Sequence, residues 1–170
     1  MKKLSDIINI NEASEKNIID LMLNALKEEF NAWYGYLIVK EWITGPERAN
    51  VVKFFEETAK DELEDHAYWL MKRINQLGGD TSEISASPGS WSTAKHKYVT
   101  PSWKENGIVD VKAIIQINIV NEEGAIETYE ELVKATEGVD PASNAKLKEI
   151  LADEQEHLQE LKDFLADINK

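Results

Sequence analysis

Two of the three histidines in this 170-residue chain follow an acid by about one helical turn: Glu154-Gln-Glu-His157, and Glu62-Leu-Glu-Asp-His66. On a helix a carboxylate and an imidazole three or four residues apart lie on neighbouring turns of one face and can both reach a single metal ion. Two further glutamates sit on apolar stripes. Glu29 shares a face with Ala32, Trp33 and Tyr36, and Glu122 repeats the arrangement with Ala125, Ile126 and Tyr129 at the same offsets. The chain has no cysteine, so a bound metal must be held by oxygen and imidazole nitrogen. A carboxylate from each of two helices, plus a Glu and a His from each of two others, is the donor set of a di-iron carboxylate site in a bundle core. Such donors suit ferrous iron or manganese, with zinc able to take their place.

Any one of these features has a plainer reading. An acid near a histidine on a charged helix is most often a surface ion pair, and Glu29 or Glu122 alone is most often a solvated residue. Glu28 and Glu123 become the inward residues if the register is off by one. The joint pattern carries the metal reading, and charge supports it: four ionised glutamates facing a core are costly unless two divalent cations cancel them. Tyr36, Tyr129, Trp33 and Trp69 read as core packing. A redox role for them is the lesser alternative. His96 has no partner acid at helical spacing and reads as solvent-exposed.

The elements that must position these groups are helices. Apolar residues recur at spacings of three and four from about Ser14 to Thr44, from Pro46 to a stop at Gly78-Gly79, from about Val109 to Glu137, and from about Ala142 to Ile168. Glycine and proline fall almost entirely between these segments. Residues 80–107 show no sustained period and read as a long connection with one short helical turn. A helix of roughly 30 residues is about 45 Å long, and a connection of this length can traverse it, so the second and third helices run parallel. The expectation is an all-α single domain over residues 1–170: a four-helix bundle with two short turns and one long crossover.

Nineteen basic against 32 acidic residues give a net charge of -13, which works against nucleic-acid binding because neutralising phosphates needs a basic patch. Lys2 and Lys3 alone make a poor DNA-binding tail. No apolar run spans a membrane, and the N-terminus lacks a signal-peptide stretch, so the chain reads as cytoplasmic.

The pattern resembles the ferritin superfamily, and more closely the Dps-like miniferritins of archaea and bacteria sometimes called thioferritins. It rests on Ala25-Leu-Lys-Glu-Glu29 with Trp33-Tyr-Gly-Tyr36, on Gly45-Pro46, Glu62, His66-Ala67, Gln76-Leu-Gly-Gly79 and Asn118, on Glu122 with Ala125-Ile126, and on Glu154-Gln-Glu-His157. The resemblance implies a homo-oligomeric cage of twelve subunits that oxidises ferrous iron with hydrogen peroxide or dioxygen and stores the ferric product. It implies Glu29, Glu62, His66, Glu122, Glu154 and His157 as the residues that hold two iron ions. Glu122 or Glu62, or both, would bridge the ions, with Glu29 and Glu154 at the sides. The alternative is a rubrerythrin-like di-iron peroxidase or di-manganese catalase without storage.

Two departures stand out. The family spacing in the second helix is Glu-x-x-His, and here one residue is inserted before His66. Either a π-bulge absorbs it, keeping Glu62 and His66 on the metals, or Asp65 takes the place of His66. The cysteine pair of thioferritins is also missing: Gly124 stands where one belongs and residues 94–97 where the other does, so thiol redox chemistry is excluded.

Overall fold

The computed structural model describes residues 4–85, 91, 93–97 and 110–170; Lys2, Lys3 and most of the long connection lie outside them. Helix α1 (Leu4–Val39) runs into a short 3-10 turn (Lys40–Trp42). It begins well before the expected Ser14 because no glycine or proline separates Leu4 from Ser14. Gly45, at φ 99°, makes the reversal that follows, a conformation open to glycine because it has no Cβ.

Helix α2 (Arg48–Asp61), a π-helical turn (Glu62–Ala67) and α3 (Tyr68–Gln76) form the second rod. The backbone stays right-handed helical through both junctions, with φ/ψ of -55°/-41° at Glu62 and -65°/-38° at Tyr68. The π turn therefore takes up the inserted residue without ending the helix. The short helix α4 (Ser82–Ser85) is the single turn expected in the crossover.

Helices α5 (Val111–Thr136) and α6 (Pro141–Ile168) complete the bundle. Both start on an aspartate. Asp110 accepts a hydrogen bond from the backbone N–H of Lys112 at 3.0 Å, and Asp140 accepts one from Ser143 at 3.1 Å with Pro141 in the first turn. Each cap satisfies an amide that the helix cannot, a contribution of about 1 kcal/mol. Asp140 also receives Arg73 of α3 at 2.6 Å, so one side chain starts α6 and ties it to the second rod.

Cross-helix contacts fix the directions. Tyr36 packs on Phe55 while Ile19 lies beside Gly79, so α1 and the second rod are antiparallel. Tyr36 meets Glu122 and Glu29 meets Tyr129, so α1 and α5 are antiparallel too. The second rod and α5 consequently run parallel, as the long connection requires. Among the described residues the architecture is an all-helical four-rod bundle with one crossover, and no helix is long and apolar enough to cross a membrane.

The core has two apolar halves. One gathers Met22, Leu26, Leu70, Ile74, Leu132 and Leu147; the other gathers Val39, Phe55, Ile114, Ile115 and Leu161. On every rod the predicted metal-binding residues fall between these two stretches: Glu29 on α1, Glu62 and His66 in the π turn, Glu122 on α5, Glu154 and His157 on α6. The polar residues thus meet in the middle of the bundle, sealed by apolar packing at each end.

Candidate metal centre

All six predicted residues are buried, from His66 at 0% exposure to His157 at 7%. His66 Nδ1 lies 3.1 Å from Glu62, 3.2 Å from Glu154 and 3.4 Å from Glu29. His157 Nδ1 lies 3.5 Å from Glu154 and 3.7 Å from Glu62. The donors form two groups, Glu29–Glu62–His66–Glu154 and Glu62–Glu122–Glu154–His157, each with its atoms within 4.8 Å of one another. Glu62 and Glu154 belong to both. Spacing leaves the shared glutamates open between Glu122, Glu62 or both.

The π turn decides which residue of the second rod faces inward. His66 is fully buried, whereas the Asp65 side chain is half-exposed and reaches Lys146 at 2.8 Å. The register on the other helices is equally definite. Glu123 points outward to Lys162, and Glu122 is inside. Glu28 and Glu29 are both buried, but only Glu29 joins the centre.

Burial pushes the Glu62 and Glu122 carboxyls well above the usual range, Glu62 further so through Glu154 and Glu29, and Glu122 through Glu154. For the imidazoles burial acts downward and is outweighed. Asp61, Glu154 and Glu62 carry His157 up to about 12, and Glu29, Asp153 and Glu154 raise His66. Glu154 likewise overcomes its burial and is held low by both imidazoles.

The centre leaves both carboxylate oxygens and imidazole nitrogens unmatched. Glu29 Oε2, Glu62 Oε1 and both oxygens of Glu154 are buried without a hydrogen bond, an arrangement that normally costs free energy. The unmatched atoms converge on two positions and consist of carboxylate oxygen and imidazole nitrogen, which fits a pair of divalent first-row cations.

The tyrosines do more than pack. Tyr36 donates to Glu122, and Tyr129 donates to Glu29, so each orients one carboxylate. Their position seven residues after a glutamate was the available signal: when two such stripes cross antiparallel, each tyrosine falls opposite the partner's acid. Asp61, 3.9 Å from His157, and Asp153, 3.5 Å from His66, were likewise not anticipated. His96 is not the solvent-exposed residue expected: 29% of its side chain is exposed and it rests between α1 and α5.

The centre opens on two sides. A cavity of about 380 Å³ between α1 and α5 reaches Glu29, Glu62, Glu122 and Glu154, with Glu28 and His96 also in its wall. On the opposite side a cleft of about 370 Å³ runs from His157 past Asp61, Asp153, Glu57, Glu156 and Glu160.

Residues 19–170 match the model of the Ferritin-like domain family. The chain is 25% identical over 142 residues to the DNA protection during starvation protein of Pyrococcus furiosus, spanning 84% of this chain and 73% of that protein. Among solved structures it is similar to a dodecameric thioferritin, the bacterioferritin-related protein from Bacteroides fragilis. That similarity has 33% identity, covers 97% of this chain and 95% of the other, and has a TM-score of 0.83. It also shares the fold of Dps from Thermosynechococcus elongatus, with a TM-score of 0.80 at 18% identity over 92% and 94% of the two chains.

Proposed function

The chain belongs to the ferritin-like family, and from that premise we propose that it is a ferroxidase, which binds two ferrous ions per subunit and oxidises them with hydrogen peroxide or dioxygen. The observation that carries the proposal is the buried convergence of four carboxylates and two imidazoles with unmatched acceptor atoms. Glu29 and His66 hold one ion and Glu122 and His157 the other, while Glu62 and Glu154 serve both.

Each ferrous ion gives up one electron, so a pair supplies the two electrons that convert hydrogen peroxide and two protons into two waters. The protein's part is placement and charge. Tyr36 and Tyr129 hold Glu122 and Glu29 in position, fixing side chains before the substrate arrives, as partners behind metal-binding groups generally do. Asp61 and Asp153 lie on the outer side of the two imidazoles and add negative charge there. The apolar halves of the core exclude water above and below the centre, which strengthens its electrostatics.

Iron reaches the centre through the cavity between α1 and α5, and ferric product leaves along the acidic cleft beside His157 for storage inside a cage. Twelve copies of the 19.3 kDa chain form that cage, a reading supported by the dodecameric relative from Bacteroides fragilis. With a net charge of -13, the protein acts in the cytoplasm without gripping DNA, and any protection of DNA comes from consuming iron and peroxide.

Ferrous oxidation by wild type, Glu62→Ala and Glu122→Ala tests the site; wild-type rates in both variants would refute it. The native mass separates a storage cage from a rubrerythrin-like peroxidase, since a dimer that lays down no mineral would favour the latter.

A further inference from the structure

The cavity between α1 and α5 is larger than iron and a small oxidant need. Its volume is about 380 Å³, and it reaches all four central glutamates. Pockets that hold organic ligands run from roughly 300 to 1,000 Å³, whereas a water molecule takes about 30 Å³. Hydrogen peroxide and dioxygen are only a little larger than water, so either oxidant, even beside two metal ions, fills a small part of the space.

Small residues create that volume. Ala32 follows Glu29 by one helical turn and Ala125 follows Glu122 at the same offset, so each alanine shares the face of its acid. Both line the cavity, with Val120 beside them, and a longer side chain at either alanine would project into it. The loop over the mouth is fixed in place. His96 lies against Gly124 so closely that a Cβ there would come within 3.1 Å of its Cβ and Cγ, and Asn24 accepts from the Lys95 backbone N–H at 2.7 Å.

The wall narrows the choice of occupant. Of the two lysines at the mouth, Lys95 is drawn to Glu131 at 2.9 Å and Lys97 is exposed to solvent. Four carboxylates lie at the inner end, so charge favours a neutral molecule over an anion. One polar group is left for that molecule. Glu28 is 9% exposed and lines the cavity. Its Oε1 accepts from the Asn24 side chain and the His96 backbone N–H, both at 2.9 Å, while Oε2 is buried without a hydrogen bond. A buried acceptor without a donor is costly, and a hydroxyl in the cavity would relieve it. Dioxygen has no hydrogen to donate; a hydroperoxide has.

We propose that the cavity takes a neutral organic hydroperoxide as an oxidant alongside hydrogen peroxide. The O–O–H group lies toward Glu28 and the centre, and the apolar group lies against Ala32 and Ala125. The inference rests on the ferroxidase reading and names a second substrate class for the same site. Two ferrous ions supply one electron each, the O–O bond breaks, and two protons from solvent complete one alcohol and one water, leaving two ferric ions.

Cumene hydroperoxide is the probe, compared with hydrogen peroxide in stopped-flow oxidation of ferrous iron. Wild type should use both oxidants faster than Glu62→Ala/Glu154→Ala does. Ala125→Leu, which fills the cavity and leaves every metal-binding residue in place, should lower kcat/KM for cumene hydroperoxide by about tenfold or more and leave that for hydrogen peroxide within about twofold. The retained peroxide rate also shows that the variant is folded. Crystals of the metal-free protein soaked in cumyl alcohol, the reduced product, should show its density between Ala32 and Ala125 in wild type and not in Ala125→Leu. Wild type that turns over hydrogen peroxide but treats cumene hydroperoxide no faster than the double variant does overturns the proposal and leaves the ferroxidase standing. Equal slowing of both oxidants by Ala125→Leu, or no density in wild type, overturns it too. Failure with both oxidants defeats the ferroxidase reading itself.

Discussion

Tyr36 on α1 donates a hydrogen bond to Glu122 on α5. Its counterpart runs the other way, from Tyr129 on α5 to Glu29 on α1, so the two helices exchange one tyrosine–glutamate contact on each side of the centre. Both tyrosines are at most 1% exposed. Tyr36→Phe and Tyr129→Phe keep the ring and remove only the donor. We predict a loss of about 10- to 100-fold in metal affinity or ferrous oxidation rate for each. Oxidation at the wild-type rate would reduce the tyrosines to packing and remove any redox role as well.

The π turn makes a second prediction. His66→Ala should abolish rapid ferrous oxidation, whereas Asp65→Ala should lose only the exposed contact to Lys146 and retain the rate. Deleting Asp65 altogether leaves Glu62-Leu-Glu-His, the spacing that Glu154 and His157 already use. The deletion should convert the π turn to regular α-helix, preserve the phase of α3, and yield a folded protein that still oxidises iron. Loss of helical content would show that the extra residue has another role.

Metal occupancy should be visible as stability. Four buried carboxylates, three of them with unmatched oxygens, are relieved by cations, and a ligand at about 1,000 times its Kd stabilises the native state by about 4 kcal/mol. For a chain of this size that corresponds to roughly 8–16 °C in Tm. Differential scanning calorimetry with and without manganese should show such a rise in wild type and none in Glu62→Ala/Glu154→Ala.

Asp140 gives a pH dependence independent of the centre. Burial pushes its carboxyl up, but Ser143 and Arg73 outweigh burial and hold it below the ordinary 3.8. A depressed acid stabilises the fold above its unfolded pKa, and that contribution is lost as pH falls through the folded value. Asp140→Ala should cost about 1–2 kcal/mol near neutral pH through loss of the cap. Urea unfolding from pH 6 downward should show the gap between wild type and variant narrowing below about pH 4; a gap that widens there would contradict the assignment.

Much of this arrangement was legible in the residues. Helical periodicity and the placement of Gly45-Pro46 and Gly78-Gly79 gave the rods, and the length of the connection gave the parallel pairing. The candidates for the inward residues followed from spacing, because a helix fixes which offsets share a face. What spacing left open was decided by contacts between helices. It could not choose between Asp65 and His66, since both an α-helical and a π-helical path are compatible with the same string. Nor could it say which glutamates are common to both donor groups, because that depends on how four rods are rotated against one another. His96 was misjudged for a similar reason: its partners Glu28, Glu127 and Thr128 come from helices distant in the chain.

The central claim is that Glu62 and Glu154 hold a metal pair between the two halves of the core. Anaerobic reconstitution with ferrous iron, a chelator wash to strip accessible metal, and measurement of retained iron per chain test it directly. We predict about two irons per wild-type chain and essentially none in Glu62→Ala/Glu154→Ala. A wild-type protein that retains no iron, or a double variant that retains as much as wild type, would contradict it.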